Sequence, residues 1–243
     1  MLTEESPNGA TAALRALGPM RLSIVIPTLN EEQALPASLR NALEWSDDVW
    51  VSDGGSVDRT LEIALDLGAH VVQGQPGRGG QLNRGAAQAR GDVFLFLHAD
   101  TRLPADLEAQ IRRALEKGAV GGGFHVRYEG GNAVLSGPGN RLVAWRTTLS
   151  RCPLGDQAQF LTRGGFESVG GFSEWPILED VDMMRRLARI GGIAVLPGPV
   201  ISSARRFTGG GLVRTVATNW LIWGLYTAGV SPHRLATLYR HVR

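Results

Sequence analysis

The sequence is poor in the residues that mark several common classes of protein. Cys152 is the only cysteine among 243 residues, which excludes a disulfide framework and a cysteine-based zinc site. Lys117 is the only lysine among 25 basic residues, and the formal net charge is +2. A charge so close to zero gives no electrostatic reason to expect a nucleic-acid partner. The scarcity of cysteine fits a reducing compartment, so we expect a cytoplasmic protein.

Long apolar runs are missing too. Residues 220–226 form the most apolar stretch late in the chain, well short of the roughly 20 apolar residues that a membrane span requires. Their two tryptophans and one tyrosine suit either a helix packed on the domain or a helix at a membrane surface. Residues 1–20 contain Glu4 and Glu5 and lack the apolar core of a signal peptide. We expect them to form a flexible extension.

Two common nucleotide-binding motifs are absent from the sequence. Residues 27–30, after the first apolar run, lack the glycines of a dinucleotide-binding turn. No glycine stands immediately before Lys117, so a Walker-type phosphate loop, which needs a Gly-Lys pair, is excluded. A glycine-rich loop at residues 74–80 would still let the backbone approach a ligand, with Arg78 adding positive charge.

The first 118 residues alternate between predicted strands and helices. Apolar runs predict strands at residues 22–27, 48–53, 69–72 and 92–97, and apolar residues at helical spacing predict helices at residues 30–45, 57–67, 81–90 and 103–117. Asn30 is the expected cap of the first helix. This alternation is typical of an α/β fold in which helices cover both faces of a parallel sheet.

The second half of the chain has a mixed pattern. It predicts strands at residues 122–128, 158–162 and 193–196 and helices at residues 140–150 and 180–190. No linker separates two domains. We therefore expect a single domain over residues 21–243, with a nucleotide-binding half at 21–118, an acceptor and catalytic half at 119–206, and C-terminal helices at 207–243.

Acidic residues stand where this fold places ligands. Asp53 ends the second predicted strand, and Asp100 follows the apolar run at residues 92–97. Because ligands of open α/β sheets collect outside the carboxyl ends of the strands, both carboxylates are expected at one crevice. Asp100 then either binds a metal or caps the helix predicted from Leu103. Glu179 and Asp180 open a later helix, where acids also complement the helix dipole.

The order of these motifs resembles the family 2 glycosyltransferases, which have a GT-A fold. The resemblance covers about residues 22–206 and rests on stretches at residues 25–31, 52–58, 79–83, 98–100 and 179–180. A short bacterial subgroup, often labelled arsenosugar-biosynthesis glycosyltransferases, is similar in further stretches at residues 96–101, 154–158, 179–182 and 203–206. The fold implied is a Rossmann-like nucleotide-binding half with a mixed central sheet, followed by C-terminal helices.

The resemblance implies a site for a nucleotide-sugar, with UDP or GDP as the nucleotide, and a divalent metal, Mn²⁺ or Mg²⁺. Asp100 corresponds to the last acid of the family's Asp-x-Asp motif and would bind the metal, whereas His98 replaces its first aspartate. Imidazole accepts Mn²⁺ more readily than Mg²⁺. The residues that would bind or border the nucleotide are Pro27, Thr28, Glu31, Asp53, Gly80, Asn83 and His98.

The resemblance also implies inverting transfer to an acceptor hydroxyl. Asp180 would be the general base, with Glu179 as the second choice and Asp182 as a structural residue. Asp156 and Gln157 would either bind acceptor hydroxyls or lie in a solvent-facing loop. Arg205 and Arg206 would either close over the diphosphate or remain ordinary surface cations.

Two other functions remain open at this stage. One is a nucleotidyltransferase that joins a sugar phosphate to a nucleoside triphosphate, although its usual glycine- and arginine-rich loop after the first strand is missing. The other is a binding protein without catalysis, for which His98 is the sequence indication. The acceptor would be a small molecule or a lipid-linked one. A peripheral contact with the inner face of the membrane, or a homodimer through the C-terminal helices, would fit residues 220–226.

Overall fold

The computed structural model describes residues 20–130, 135–204 and 212–240. Apart from Met20, the expected N-terminal extension lies outside the described residues, and so do Arg205 and Arg206.

Strands within these ranges form one mixed sheet. They are β1 (Leu22–Thr28), β2 (Val49–Asp53), β3 (His70–Gln73), β4 (Val93–Phe96), β5 (Thr101–Arg102), β6 (Ala119–Glu129), β7 (Gln159–Thr162) and β8 (Gly192–Ser203). The order across the sheet is β3-β2-β1-β4-β7-β6-β8-β5. Strands β3, β2, β1 and β4 run parallel, and β7 pairs antiparallel with both β4 and β6. The parallel half and the mixed half expected from the sequence therefore share one sheet.

Helices alternate with these strands along the chain, and two more helices come after the last strand. They are α1 (Leu35–Leu43), α2 (Thr60–Asp66), α3 (Arg78–Gln88), α4 (Leu107–Glu116), α5 (Asn140–Ser150), α6 (Arg163–Ser168), α7 (Glu179–Leu187), α8 (Leu212–Thr227) and α9 (Pro232–Arg240). A π-helical turn at Leu135–Gly139 precedes α5, and a 3₁₀ turn at Gly155–Gln157 precedes β7.

The first helix begins later than the sequence predicts. Asn30 adopts a left-handed backbone conformation with φ of 54°, so it does not cap α1. Its backbone N–H donates to Ser56 Oγ at 2.8 Å, and its side-chain oxygen accepts from Val57 N at 2.9 Å. Asn30 therefore fixes the loop after β1 to the loop after β2, at the edge of the sheet where ligands are expected.

Two other predicted helix starts are also corrected. Helix α3 starts at Arg78 rather than Gln81, so the glycines at 79 and 80 lie inside its first turn. Helix α4 starts at Leu107 rather than Leu103, because residues 101–102 pair with β8 as the short strand β5. Asp100 precedes a strand, so it is not a helix cap.

The core explains why the first and fourth strands are mostly apolar. Ile24 and Leu95 lie in the cluster on one face of the sheet, whereas Val25 and Phe94 lie in the cluster on the other face. Each of these side chains is at most 1% exposed. Burying one such side chain contributes about 1.5–3 kcal/mol, so β1 and β4 form a rigid centre for the sheet.

The C-terminal helices contact the domain in part. The Tyr226 ring packs edge-on against Trp175 with centroids 6.3 Å apart, and the Arg185 guanidinium lies 4.4 Å from the centre of the same ring. Trp220 and Leu221 remain exposed on α8. Of the helices in the described ranges, none has the length and apolar character to span a bilayer.

Candidate active site

The carboxyl ends of the central parallel strands meet at one edge of the sheet, and Gln81 holds them together. This buried side chain donates through Nε2 to the Thr28 carbonyl at 2.7 Å and to the Ser52 carbonyl at 3.0 Å. Its Oε1 accepts from Gly77 N at 3.2 Å. One amide thereby connects β1, β2 and the loop before α3.

Asp53 lies at this edge but is fully buried. Its Oδ1 accepts from Thr28 Oγ1 at 2.9 Å and from the Ser56 hydroxyl, and its Oδ2 accepts from the backbone N–H groups of Gly55 and Ser56, each at 2.8 Å. Burial by itself favours the neutral carboxyl. These hydrogen bonds favour the carboxylate and outweigh burial, so the pKa of Asp53 lies below its ordinary value.

The other residues expected to line the nucleoside pocket lie near Asp53. Pro27 and Thr28 end β1, and Thr28 is 1% exposed because its hydroxyl faces Asp53. Glu31 is half-buried, and its backbone N–H donates to Thr60 Oγ1 at 2.8 Å. The loops after β1 and β2 therefore form one hydrogen-bonded wall.

A small cavity opens beside this wall. It brings together the predicted residues from both halves of the chain, and its lining consists of Pro27, Arg78, Leu82, Phe96, Leu97, His98, Gly155, Gln159, Glu179 and Asp180. The sequence predicted Pro27, His98, Glu179 and Asp180 as site residues. Gly155 and Gln159 were missed as site residues.

Asp180 is held firmly at the start of α7. Its Oδ2 accepts from Gly155 N at 2.7 Å, and its Oδ1 accepts from Val181 N at 2.8 Å. Gln159 Nε2 donates to the Asp180 carbonyl at 3.2 Å. The carboxylate is partly exposed, so it can contact a ligand while its orientation is fixed by backbone donors.

Gly155 occupies a closely packed position in the cavity wall. A Cβ on Gly155 would lie 2.8 Å from Arg78 Nη2, 3.1 Å from His98 Nε2 and 3.3 Å from Asp180 Oδ2. Three side chains that line the cavity therefore converge within a few ångströms of one backbone position. The sequence signal for Gly155 was its place beside Asp156 in a stretch already singled out.

Arg78 supplies the positive charge of the cavity. Its Nε lies 3.2 Å from Glu179 Oε1, and its Nη2 lies 3.4 Å from His98 Nδ1. Glu179 is almost fully buried, so the pair places a carboxylate and a guanidinium at the cavity wall with little water around the acid. The sequence indicated Arg78 only as a charge in a glycine-rich loop.

Asp182 and Asn83 have structural contacts. Asp182 Oδ2 accepts from Ser173 Oγ at 2.7 Å and from Arg186 Nε at 2.8 Å. Asn83 donates to the Phe172 carbonyl and accepts from the Phe172 N–H, both at 2.8 Å. Both ends of its amide therefore secure the loop at Phe172, and that Asn83 also borders the nucleotide stays a prediction. Gly80 faces Glu174, whose carboxylate would be 3.6 Å from an added Cβ.

Gln157 also differs from expectation. It is fully buried, and its Nε2 donates to the Phe124 carbonyl at 2.9 Å while its Oε1 accepts from Leu154 N at 2.8 Å. A buried amide with these partners neither binds an acceptor hydroxyl nor faces solvent, so both interpretations of Gln157 are corrected. Asp156 accepts a hydrogen bond from the Tyr128 hydroxyl and is half-buried.

Cys152 lies close enough to Asp180 for the charge of that carboxylate to affect the pKa of the thiol. Burial, together with the negative charge of Asp180, raises the pKa of the Cys152 thiol to about 11. A thiol with this pKa is almost entirely protonated at neutral pH, which makes it a poor nucleophile.

The residues after β4 carry the candidate metal ligands. His98 is 8% exposed and lines the cavity, and Asp100 is half-buried, with Thr101 Oγ1 3.4 Å from its Oδ1. Across residues 20–130, 135–204 and 212–240, no three His, Cys, Asp or Glu side chains are grouped to hold an ion. This donor set fits a divalent ion that takes one or two protein ligands and completes its coordination with water and substrate phosphates.

The mixed sheet, with a ligand cavity at the ends of its parallel strands, places the chain among the GT-A glycosyltransferases. A mannosyltransferase from Pyrobaculum calidifontis, solved with GDP-mannose and Mn²⁺, matches 90% of this chain and 69% of its own with a TM-score of 0.58 at 17% identity, which shows the shared fold. Glucosyl-3-phosphoglycerate synthase from Mycobacterium tuberculosis, solved with Mn²⁺, UDP and phosphoglyceric acid, matches with a TM-score of 0.54 and 25% identity over 76% of this chain and 70% of its own.

The sequence identifies the family. The model of glycosyl transferase family 2 matches residues 23–170, more than half of the chain, so the chain belongs to that family. A beta-monoglucosyldiacylglycerol synthase from Synechocystis is 27% identical in an alignment of 214 residues, and the match covers 76% of this chain and 43% of that protein. The chain spans less than half the length of the first curated relatives it matches.

Proposed function

We propose that this protein transfers a sugar, with inversion, from a nucleoside-diphosphate sugar to an acceptor hydroxyl. The observation that carries the proposal is the orientation of Asp180 by Gly155 N, beside His98 and Arg78 in one cavity. That cavity lies at the carboxyl ends of β1 and β4, where α/β folds bind their ligands. Membership of family 2 supports the same reaction class.

The donor nucleotide is proposed to lie along the wall formed by the loops after β1 and β2. Pro27, Thr28 and Glu31 would contact the nucleoside. Asp53 has its four acceptor positions engaged, so we propose that it acts chiefly by holding the loop at Gly55 and Ser56 in shape. UDP and GDP are both candidates, because the two solved relatives described above carry one or the other.

A divalent ion, Mn²⁺ or Mg²⁺, is proposed to bind at Asp100 and His98 with the donor diphosphate. When bound, it would neutralise the negative charge that develops on the departing nucleoside diphosphate. Arg78, partly exposed at the cavity, would add a fixed positive charge near the same group. Gly80 would support this region through the first turn of α3. The proposed closing residues Arg205 and Arg206 lie outside the described residues.

Asp180 is proposed as the general base. An acceptor hydroxyl is too weakly acidic to attack unaided, and removal of its proton by a positioned carboxylate contributes typically about 10²–10⁴-fold in rate. Glu179 is less suited to this step because it is almost fully buried and paired with Arg78. Its proposed role is to orient Arg78.

The acceptor is proposed to approach from the side of the 3₁₀ turn that carries Asp156. A lipid-linked acceptor is one candidate, since a relative is named as a synthase of a glucosyldiacylglycerol. A small soluble acceptor is the other. We propose that the reaction takes place on the cytoplasmic side of the membrane.

The substitution Asp180→Asn tests the proposal. It keeps the size of the side chain but removes the base, so kcat should fall about 10²–10⁴-fold. Calorimetry should find donor affinity close to that of the parent protein. The matched control is Asp66→Asn at the exposed end of α2, which should leave both quantities unchanged. Turnover by Asp180→Asn at the parental rate would eliminate Asp180 as the base.

A further inference from the structure

Helix α5 presents an apolar face to solvent. Leu142, Trp145 and Leu149 are 46%, 59% and 71% exposed. Their spacing of three and four residues places them side by side on one face of the helix. Most exposed apolar side chains on a soluble protein are scattered singly, whereas these three form a continuous stripe.

The opposite face of α5 anchors the helix to the domain. Thr147 is fully buried, donates to the Val143 carbonyl at 3.0 Å, and accepts from Gln157 Nε2 at 3.0 Å. Arg146 Nη2 also donates to Gln157 Oε1 at 2.9 Å. Because Thr147 and Arg146 fix α5 to the domain, the exposed stripe belongs to the folded structure.

The charged residues of the segment that contains α5 have one sign. Between Glu129 and Asp156 the sequence contains three arginines and neither aspartate nor glutamate. Arg141 and Arg151 are exposed at the two ends of α5, while Arg146 faces Gln157. An apolar stripe with a central tryptophan and arginines at its ends has the composition of a helix that lies in a membrane interface.

We infer that the exposed face of α5 docks on the surface of an anionic lipid bilayer. Trp145 and the two leucines would enter the boundary between headgroups and acyl chains, and Arg141 and Arg151 would contact lipid phosphates. Each arginine near an anionic surface strengthens binding, and the effect decreases as salt rises. A second copy of the chain is a poorer partner, because facing copies would bring like charges together.

Docking through α5 would bring the candidate active site close to the membrane surface. The helix holds Gln157, and the same 3₁₀ turn contains Gly155, whose N–H orients Asp180. The inference goes beyond the proposed transfer reaction, because the apolar stripe and its arginines need no donor or acceptor to bind lipid. It also concerns a different surface from residues 220–226.

Vesicle co-sedimentation of the full chain without any donor tests the apolar face. Vesicles of phosphatidylglycerol mixed with phosphatidylcholine should bind the protein, and vesicles of phosphatidylcholine alone should bind it at least tenfold less. The double variant Trp145→Glu/Leu149→Glu should lose at least tenfold in affinity. Leu65→Glu is the control, because Leu65 is 62% exposed on α2 and lies outside the stripe.

A second pair of variants tests the charges. Arg141→Gln/Arg151→Gln should bind the anionic vesicles severalfold more weakly and show a smaller loss of binding between about 50 and 500 mM salt. Arg113→Gln/Arg189→Gln is the matched control, because both arginines are exposed on other parts of the surface.

Three results would overturn the inference. The first is parental binding by the Trp145→Glu/Leu149→Glu variant, and the second is equal binding to neutral and anionic vesicles. The third is light scattering in which the parent protein is a dimer that these substitutions dissociate, since a second copy would then cover the face. Asp180→Asn should bind vesicles like the parent, so loss of transfer and loss of docking are distinguishable.

Discussion

Replacing Gln157 by alanine should destabilise the fold without directly removing a ligand contact. Gln157 lies in the 3₁₀ turn at Gly155–Gln157 and is fully buried, with contacts to α5 and β6. The substitution removes the side-chain partner of the Phe124 carbonyl and of Leu154 N. It also leaves Thr147 and Arg146 without the amide that they contact.

The magnitude follows from these contacts. A buried polar group left without its partner costs about 1–3 kcal/mol. The Leu154 N–H and the Phe124 carbonyl both lose the Gln157 amide as their partner. Water reaches Arg146 more easily than it reaches the enclosed Phe124 carbonyl. We therefore expect a loss of about 2–5 kcal/mol in the free energy of unfolding. For a domain of this size, each kcal/mol lowers Tm by about 2–4 °C, so Tm should fall by about 4–20 °C.

Urea titration followed by circular dichroism measures this loss, with the midpoint shifting and the slope unchanged. Gln88→Ala is the control, because Gln88 is exposed at the end of α3 and alanine is a good helix former. A loss below about 1 kcal/mol for Gln157→Ala would refute the structural reasoning. A raised KM for the acceptor at unchanged stability would instead restore the role of Gln157 in acceptor binding.

Three further predictions concern the candidate site. Asp53→Asn should make the free energy of unfolding less sensitive to acid. The lowered pKa of Asp53 stabilises the fold above the unfolded-state pKa of about 3.9, and this contribution is lost as the pH falls through the folded-state pKa. Urea midpoints measured from pH 7 to pH 3 would show the difference. Gly155→Ala should lower kcat at least tenfold in a transfer assay, because the new Cβ would lie 3.3 Å from Asp180 Oδ2 and 2.8 Å from Arg78 Nη2. Asp100→Ala should abolish the gain in donor affinity that Mn²⁺ provides, as calorimetry with and without the ion would measure.

Each of these has a result that contradicts it. If the urea midpoints of Asp53→Asn fell with pH as steeply as those of the parent protein, the hydrogen bonds of Asp53 would not favour its ionised form. Full activity of Gly155→Ala would show that the cavity can relax around a methyl group, and Gly164→Ala is its control because no atom lies within 4 Å of an added Cβ there. Equal donor affinity with and without Mn²⁺ in the parent protein would remove the metal from the site.

The strands at the centre of the sheet were predictable because local sequence decides them. Apart from Ser23 and Asp92, residues 22–27 and 92–97 are apolar on successive positions, a pattern that is typical of a strand buried on both faces. Both runs form central strands, β1 and β4, which pair with each other in parallel. Since ligands collect at the ends of such strands, the region of the candidate site followed from the same two runs.

The outer strands depend on pairing that local sequence does not show. Strand β5 has two residues and exists because Thr101 and Arg102 pair with the far end of β8. Strand β8 was predicted as residues 193–196, yet it continues through Pro197 and Pro199 to Ser203. Its prolines are tolerated since β5 pairs only with residues 201–202, which leaves the prolines on an open edge of β8.

The glycines of α3 were read as a loop because glycine disfavours helices. Packing overrides that preference: a Cβ on Gly79 would lie 2.2 Å from the Ser173 carbonyl oxygen, so only glycine lets α3 approach this segment. The inward orientation of Gln157 was equally hidden, because a polar residue in a glycine-flanked turn usually faces water. Its partners, Phe124 and Thr147, are distant in sequence and became visible only in the fold.

Two adjacent acids at the start of α7 have environments that divide their proposed roles. Glu179 is 3% exposed and its carboxylate lies beside Arg78, so its charge is already compensated within the protein. Asp180 is more exposed, and its oxygens accept from Gly155 N and Val181 N, which orient the group. An acid that must take a proton from a substrate needs access and a fixed direction. By this reasoning Asp180, and not Glu179, is the proposed base, while Glu179 holds Arg78 toward the proposed diphosphate.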